Sequence, residues 1–274
     1  FGHLSSKEKN NILPEHNDGM YAVPQILTNS AQDFIRTAHK LQQYGYGEVN
    51  LNLGCPSKTV VAKGRGSGFL AFPDKLDAFL EEIFEHTDMK ISIKTRIGKE
   101  SPEEFERLLG IYNQYPLEEL IIHPRVQMDF YKNTPNWVVF GGTLKSCKCS
   151  VCYNGDIFTV EDYKKFTVAF PGVDCIMLGR GTLFNPGLAG AIRGEAETDK
   201  STFEAFHNQI YEAYQKELYG EKNILFKMKE LWSYMAALFT NYEKYAKRIK
   251  KAERLTVYED AVEALFAEQE ILES

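Results

Sequence analysis

Cys55 lies in the segment Glu48 to Leu70, whose residue types and order are those most suited to a catalytic role in this sequence. The segment starts as the apolar strand pattern EVNLNL, breaks at Gly54-Cys55-Pro56 and continues as a stretch rich in Gly and basic residues, Lys58 to Gly68. A cysteine on such a turn projects from a rigid frame into a cleft, where side chains commonly act in catalysis. Its thiol can be a nucleophile, a proton donor or a packed side chain. A metal ligand is disfavoured, because no residue near it has ligand spacing.

Other polar residues end predicted strands in the same way. Lys94 and His123 each close an otherwise apolar strand, and Gln25 and Arg96 lie near strand ends too. At the mouth of a barrel, the charge of a lysine must be balanced by an anion or an electron-rich ring, which would be a ligand. A salt bridge between Lys94 and a neighbouring acid is the alternative explanation. His123 has the same two interpretations, because a histidine at a strand end is often structural.

Two glycine-containing turns follow the last predicted strands, Asn154-Gly155-Asp156 and Gly179-Arg180-Gly181. Glycine allows the backbone to approach a ligand closely, and the Arg180 guanidinium offers a planar set of donors. Loops after the last two strands of a barrel often bind phosphate. Two ordinary glycine turns remain the alternative, but their corresponding positions favour a phosphate site.

The elements that must position these residues alternate between strand and helix, about 25–40 residues apart. Such alternation predicts a parallel sheet with crossover helices, and polar residues at so many strand ends favour a (β/α)8 TIM barrel over a doubly wound sheet. The chain begins at Phe1 without a Met, and we expect the first strand of the barrel to be missing from it. The predicted strands are 21–27, 48–53, 90–96, 119–123, 150–153 and 174–178. The predicted helices of this part are 31–44, 73–86, 102–112 and 160–169, and 138–146 has only a weak pattern.

From about residue 197 the sequence contains helical patterns and no strand pattern, with helices predicted at 201–219, 222–239, 241–252 and 256–271. We therefore predict a catalytic barrel over 1–196 and an all-helical domain over 197–274. Residues 221–254 contain nine Lys or Arg and four acids. Together with five aromatic residues they suggest an RNA-facing surface, or else a solvated helix face. The aromatic residues are Phe226, Trp232, Tyr234, Tyr242 and Tyr245.

The composition is that of an ordinary globular protein, and a net charge of −6 argues against a protein that coats nucleic acid. No run of about 18 apolar residues predicts a membrane span. Five cysteines without a signal peptide predict reduced thiols in the cytoplasm. Cys149 and Cys152 mimic a C-x-x-C motif, but their alternate side chains on a strand point apart. We interpret Cys147, Cys149 and Cys152 as core or surface thiols and expect no metal.

Five blocks of sequence, in order and at matching spacing over roughly residues 20–190, resemble the tRNA-dihydrouridine synthases. Three differences stand out. The family's N-terminal Ala-Pro-Met block is absent, Asn50 replaces a common Asp, and Pro124 replaces a common Gly. The five blocks are Asn52–Val60 with Gly64–Gly68, Ile93–Gly98, Ile122–Arg125, Tyr153–Ile157 and Met177–Pro186.

The resemblance implies an FMN-dependent barrel that uses NADPH or NADH to reduce specific uridines of tRNA to 5,6-dihydrouridine, with a helical domain that holds the tRNA. It implies that hydride passes from flavin N5 to uracil C6 and that Cys55 is the general acid that protonates C5. Asn52, Arg96 and Arg125 are the expected substrate-binding residues. The expected protein is a cytoplasmic monomer with no metal. The residues expected to bind FMN are Gln25, Lys94, His123, Asn154, Gly155, Asp156, Gly179 and Arg180.

Two other functions share parts of this pattern. One is an FMN-dependent barrel oxidoreductase that acts on a free small molecule, as dihydroorotate and dihydropyrimidine dehydrogenases do. Such an enzyme needs the phosphate site but no basic helical tail. The other is an inactive, truncated relative that binds RNA, for which the missing first strand is the pertinent feature.

Overall fold

The computed structural model describes residues 5–195 and 198–272, and these form an α/β fold. All six predicted strands are present, and they pair in parallel in the order of the sequence. This sequential parallel order confirms the predicted class, because it is the order in which neighbouring strands of a (β/α)8 barrel pair. The strands are β1 (Gln25–Ile26), β2 (Glu48–Leu53), β3 (Lys90–Arg96), β4 (Glu119–His123), β5 (Ser150–Tyr153) and β6 (Cys175–Ile176).

Among the described residues, the chain divides into two compact units. The first comprises residues 1–155 with 172–177 and contains the whole sheet. The second comprises 156–171 with 178–274 and is helical. The helices of the first unit are α1 (Ser6–Ile12), α2 (Ala31–Gln43), α3 (Lys58–Val61), α4 (Pro73–Glu85), α5 (Glu104–Tyr112) and α6 (Trp137–Ser146). Those of the second are α7 (Val160–Ala169), α8 (Arg180–Phe184), α9 (Leu188–Ile192), α10 (Lys200–Glu217), α11 (Glu221–Met235), α12 (Glu243–Lys251) and α13 (Leu255–Glu268).

The two faces of the sheet differ in polarity because side chains alternate along each strand. Leu51 and Ile93 belong to the apolar face and are fully buried. Helices α2 and α4 pack together in the same unit, with the Phe34 and Phe79 rings edge to face at 6.0 Å. On the opposite face, the register pairs Asn52 with Lys94, Lys94 with Ile121, Ile121 with Cys152, and Cys152 with Cys175. This row therefore holds an amide, an ammonium and two thiols, with Ile121 as its apolar member.

Two segments without a predicted element are helical, and two predicted strands are shorter than expected. Residues 5–20 contain α1, which begins with a capping box between Ser5 and Glu8. The weakly patterned segment 138–146 lies in α6, whose first turn is capped by the Asn136 side chain. The strands predicted at 21–27 and 174–178 are only two residues long. Each has one strand partner among the described residues, so only one side provides hydrogen bonds.

The second unit buries an aromatic core that the predicted helices supply. Phe203 of α10 packs edge to face on Phe239, with ring centroids 5.5 Å apart, and Phe239 packs on Phe266 of α13 at 5.3 Å. The four helices predicted after residue 197 are confirmed within a few residues of their ends. The predicted domain boundary at 196/197 stays a prediction.

Candidate active site

The Asn52 side chain holds the turn that presents Cys55. Its Oδ1 accepts hydrogen bonds from the backbone N–H groups of Gly54, at 3.1 Å, and Cys55, at 3.0 Å. Its Nδ2 donates to Gln25 Oε1 at 2.6 Å. Cys55 is half-buried. The predicted substrate ligand Asn52 and the predicted catalytic Cys55 are thus neighbours at the C-terminal end of β2, and Asn52 fixes the path of the backbone between them.

The segment after Cys55 is folded against it. Ser67 donates from its backbone N–H, at 3.1 Å, and from its hydroxyl, at 2.8 Å, to the Cys55 carbonyl. Gly66 has a positive φ of 54°, and a Cβ there would lie 2.8 Å from the Cys55 carbonyl oxygen. Residues 66–70 are buried in a short 3-10 helix, while Lys58 and Lys63 are exposed. The second half of the stretch from Lys58 to Gly68 is thus a packed support for the Cys55 turn.

A hydrogen-bonded network continues from Asn52 along the polar face of the sheet. Gln25 Nε2 donates to Asn50 Oδ1 at 2.8 Å, and Asn50 Nδ2 donates to Ser92 Oγ at 3.0 Å. Ser92 donates to Glu48 at 2.6 Å. Gln25, Asn50, Ser92 and Glu48 line one cavity of about 470 Å³. The sequence analysis did not select Asn50 or Ser92 as site residues. The alternation of polar and apolar residues in β2 and β3 was the signal that could have identified them.

Lys94 projects from β3 into the same polar face. Burial, together with the nearby Arg96 guanidinium, lowers the pKa of the Lys94 ammonium to about 8. Among the described residues, no side chain or carbonyl forms a hydrogen bond or an ion pair with its ammonium. The salt bridge considered from the sequence is therefore not formed among these residues. A largely buried cation without an anion favours a site for an anionic or electron-rich ligand.

Arg96 and Arg125 are both almost fully buried, with their guanidinium groups bonded to backbone carbonyls. Arg96 donates to Gly54 O at 3.1 Å, to Val126 O at 2.8 Å and to Phe130 O at 2.6 Å. It therefore ties the Cys55 turn to the loop after β4. These contacts favour a positioning role for Arg96 rather than the direct substrate contact that the sequence suggested.

Arg125 fixes the predicted cofactor residue His123. Its Nη1 lies 3.1 Å from His123 Nε2, and its other donors reach the carbonyls of Lys132 and Asn133. Because a guanidinium only donates, Nε2 of His123 accepts, and its proton is on Nδ1. His123 is thus a neutral imidazole in this arrangement, with its Nδ1–H as its donor.

Asn154 and Gly155 follow β5 in the first unit. The Asn154 side chain donates to Met177 O at 2.9 Å, which ties the ends of β5 and β6. A Cβ on Gly155 would lie 2.0 Å from the Tyr153 hydroxyl. That hydroxyl also receives a hydrogen bond from Trp137 Nε1 at 3.0 Å. Glycine is therefore required at 155 by close packing, whether or not a ligand approaches it.

The other three predicted cofactor residues belong to the second unit. Arg180 forms an ion pair with Asp156 at 2.7 Å, and its guanidinium lies 5.4 Å from the Phe158 ring centroid. Gly179 precedes α8, and no atom lies within 4 Å of the Cβ it lacks. The structure thus brings Asp156 and Arg180 together. That these residues bind the same FMN as those of the first unit stays a prediction.

Helix α12 carries several exposed cations of the predicted basic surface, although Lys222 and Arg254 outside this helix are exposed as well. Tyr245 and Ile249 are buried, whereas Lys247, Arg248, Lys250 and Lys251 are exposed, and we call these four the α12 basic face. Of the aromatic residues predicted to face RNA, Trp232 and Tyr245 are in the core, with at most 2% exposure. Assigning those two rings to an RNA surface was wrong, because their burial forms the core of the helical unit. Phe226 is 68% exposed and stays a candidate.

Known proteins resemble this chain over most of its length. A family model described as dihydrouridine synthase (Dus) matches residues 3–273. The tRNA-dihydrouridine synthase B of Pasteurella multocida (strain Pm70) is 26% identical over 207 residues, which cover 75% of this chain and 61% of that protein. The tRNA-dihydrouridine(16) synthase of Aquipseudomonas alcaligenes is 31% identical over 183 residues, covering 65% and 58%. The chain thus spans a little over half the length of these relatives.

One solved structure with a partial likeness is that of a morphinone reductase mutant in complex with tetrahydroNAD. It has a TM-score of 0.44 and 17% sequence identity, and the match covers 73% of this chain and 54% of that one. None of the described helices has the length and apolar character that crossing a membrane requires.

Proposed function

The chain belongs to the dihydrouridine synthase family, and on that premise we propose that it reduces uridine in tRNA to 5,6-dihydrouridine. The observation that carries the proposal is the placement of Cys55, the residue that matches the family's general acid. It lies at the C-terminal end of β2 on a turn held by Asn52, Ser67 and Arg96. Strand ends of this kind are where barrel enzymes keep their catalytic groups.

The first unit fits a flavin in two respects. Lys94 is a largely buried cation with no anionic partner in the described chain, and such a charge is stabilised by the electron-rich edge of a flavin ring. His123, fixed by Arg125, supplies an Nδ1–H donor near the end of the neighbouring strand. We propose that both contact FMN, together with Gln25, Asn154 and Gly155. FMN, reduced by NADPH or NADH, supplies the hydride for uracil C6.

Cys55 completes the reduction as the proton donor. After hydride addition at C6, C5 of the uracil carries the excess electron density, and the Cys55 thiol gives its proton to C5. Asn52 and Ser67 keep the thiol in place by binding the backbone on both sides of it. Asn52 Nδ2 has a second hydrogen that is free to reach a uracil oxygen, because a carboxamide carries two donors.

The substrate uridine must leave its stack in tRNA to reach this turn. We propose that the α12 basic face binds the tRNA phosphate backbone, since its four cations point to solvent. Binding of that kind weakens as salt rises, because each phosphate contact releases a counterion. We further propose that the protein works in the cytoplasm as a monomer, which its five free cysteines suit.

The test is Cys55→Ala, assayed for dihydrouridine formation in tRNA and for flavin binding by absorbance. We expect bound flavin and at least a 100-fold loss of tRNA reduction, which is the usual contribution of a general acid, about 10²–10⁴-fold. Cys147→Ala is the matched control, because it removes a thiol from another part of the same unit. Turnover by Cys55→Ala at the wild-type rate would exclude the acid role.

A second measurement separates tRNA from free small molecules as the substrate. The wild-type chain is given either tRNA or free uridine and other pyrimidines, with NADPH oxidation as the readout. We expect the double variant Lys247→Glu/Lys251→Glu to lose the reaction with tRNA. Lys164→Glu should keep it, because Lys164 is an exposed lysine of the same unit that lies outside the α12 basic face. Reaction with free pyrimidines alone would favour a small-molecule oxidoreductase, and the absence of bound flavin would favour an inactive relative.

A further inference from the structure

Three ligand-type side chains meet on the polar face of the sheet, away from Cys55. A carboxylate oxygen of Glu119 and the Sγ atoms of Cys152 and Cys175 all lie within 4.8 Å of one another. The register explains this proximity, because Cys152 pairs with Cys175 on one side and with Ile121 on the other. Glu119 lies two residues before Ile121 and so points to the same face.

Two thiolates and one carboxylate are a ligand set that suits zinc and similar soft divalent ions. A tetrahedral zinc site has Zn–S and Zn–O distances of about 2.3 and 2.1 Å, which place the ligand atoms roughly 3.5–3.8 Å apart. The three side chains therefore need to close in by only about 1 Å. We propose that Glu119, Cys152 and Cys175 form a binding site for a soft divalent metal ion such as Zn²⁺, with the fourth position open to water or another ligand.

The charges around the site agree with this assignment. Two thiolates and a carboxylate carry −3, and a divalent ion reduces this to −1. Metal binding removes a proton from each thiol, as is usual for cysteine ligands, and affinity therefore rises with pH.

An ion can reach the site from solvent. Cys175 is exposed, and Glu119 lines the cavity of about 470 Å³ on the polar face. The site is also distinct from the only other close pair of thiols in the described chain, Cys147 and Cys149, whose Sγ atoms are 3.5 Å apart. From the sequence we expected no metal at Cys147, Cys149 and Cys152, whereas the fold places Cys152 next to Cys175, which the sequence analysis had not considered with it.

The experiment titrates the reduced, metal-free 274-residue chain with Co²⁺, whose bonds to thiolates produce near-ultraviolet charge-transfer absorption. We expect saturation at one equivalent and complete displacement by Zn²⁺. Cys175→Ser, an exposed position that leaves the core intact, should weaken Co²⁺ binding at least about 100-fold. Glu119→Gln removes a direct ligand and should therefore weaken Co²⁺ binding by at least the roughly 10-fold that loss of an outer-shell partner causes.

Two controls make the result decisive. Cys147→Ser/Cys149→Ser removes the competing thiol pair and should bind Co²⁺ as the wild type does. Cys55→Ala should also bind normally, so that the metal site and the proposed catalytic turn are tested separately. Unchanged affinity in Cys175→Ser, loss of binding in Cys147→Ser/Cys149→Ser, or no saturable absorption in the wild type would each overturn the proposal.

Discussion

The Tyr258 hydroxyl connects two buried polar groups in the core of the helical unit. Trp232 Nε1 donates to it at 2.8 Å, and His207 Nε2 lies 2.7 Å from it. The amide oxygen Oδ1 of Asn208 can only accept, so His207 Nδ1–H donates to it at 2.9 Å, and the unprotonated Nε2 of the neutral ring accepts the Tyr258 proton. The variant Tyr258→Phe removes only the oxygen that joins these groups.

The expected cost follows from the two groups left behind. Phenylalanine fills the same space, so no cavity forms, but Trp232 Nε1–H and His207 Nε2 both lose their partner in a buried environment. Each unsatisfied buried polar group costs about 1–3 kcal/mol. We therefore expect Tyr258→Phe to lower the free energy of unfolding of the helical unit by about 2–6 kcal/mol.

Urea unfolding followed by tryptophan fluorescence measures this loss locally. The sequence has two tryptophans, Trp137 and Trp232, so a common Trp137→Phe background leaves only Trp232 as the reporter. Tyr219→Phe is the matched control, because Tyr219 is 96% exposed and its hydroxyl should contribute nothing. A loss below about 1 kcal/mol in Tyr258→Phe, or an equal loss in Tyr219→Phe, would refute the hydrogen-bonded arrangement inferred here.

Two further predictions concern pH and the Cys55 turn. Burial lowers the pKa of His207 in the native state. Below the unfolded value of about 6.5 the unfolded chain therefore binds more protons, and the free energy of unfolding falls as the pH falls. The contribution of His207 to this slope, at most about 1.4 kcal/mol per pH unit, should be absent in His207→Gln when urea unfolding is followed by Trp232 fluorescence at several pH values. Gly66→Ala forces a Cβ against the Cys55 carbonyl, and displacement of the thiol by about 1 Å should lower tRNA reduction about 100-fold, whereas Gly142→Ala, which meets no atom within 4 Å, should keep full activity. Wild-type activity in Gly66→Ala would contradict the packing of that segment on the turn.

The order of strands and helices was predictable because apolar runs and turn residues are local signals. The helices at 31–43, 73–85 and 160–169 begin at Ser30, Phe72-Pro73 and Thr159, where capping residues or proline mark the start. The 138–146 helix was missed because its sequence, VVFGGTLKS, has β-branched residues and two glycines and only a weak helical pattern. Its stability comes from tertiary contacts, such as Phe140 on Tyr153 at 4.9 Å.

The residues of the candidate site were predictable, but their individual contacts were not. A strand-end arginine has the same sequence signal whether it binds a substrate or three carbonyls, as Arg96 does. Likewise, basic and aromatic residues in one helix predict an RNA surface until burial separates them, as it separates Tyr245 from Lys247. Distances between segments far apart in sequence decide these roles, and one sequence alone does not contain them.

The alternation in β2 links the fold to the chemistry more directly than any single residue does. Leu51 and Leu53 fill the apolar face, so Asn50 and Asn52 must share the other face with Ser92 and Lys94 of the neighbouring strand β3. A shift of one residue in the register of β2 would bury Asn50 and Asn52 among leucines and release the Cys55 turn from the Asn52 carboxamide. The strong preference for burying the leucines therefore also fixes the position of the proposed proton donor.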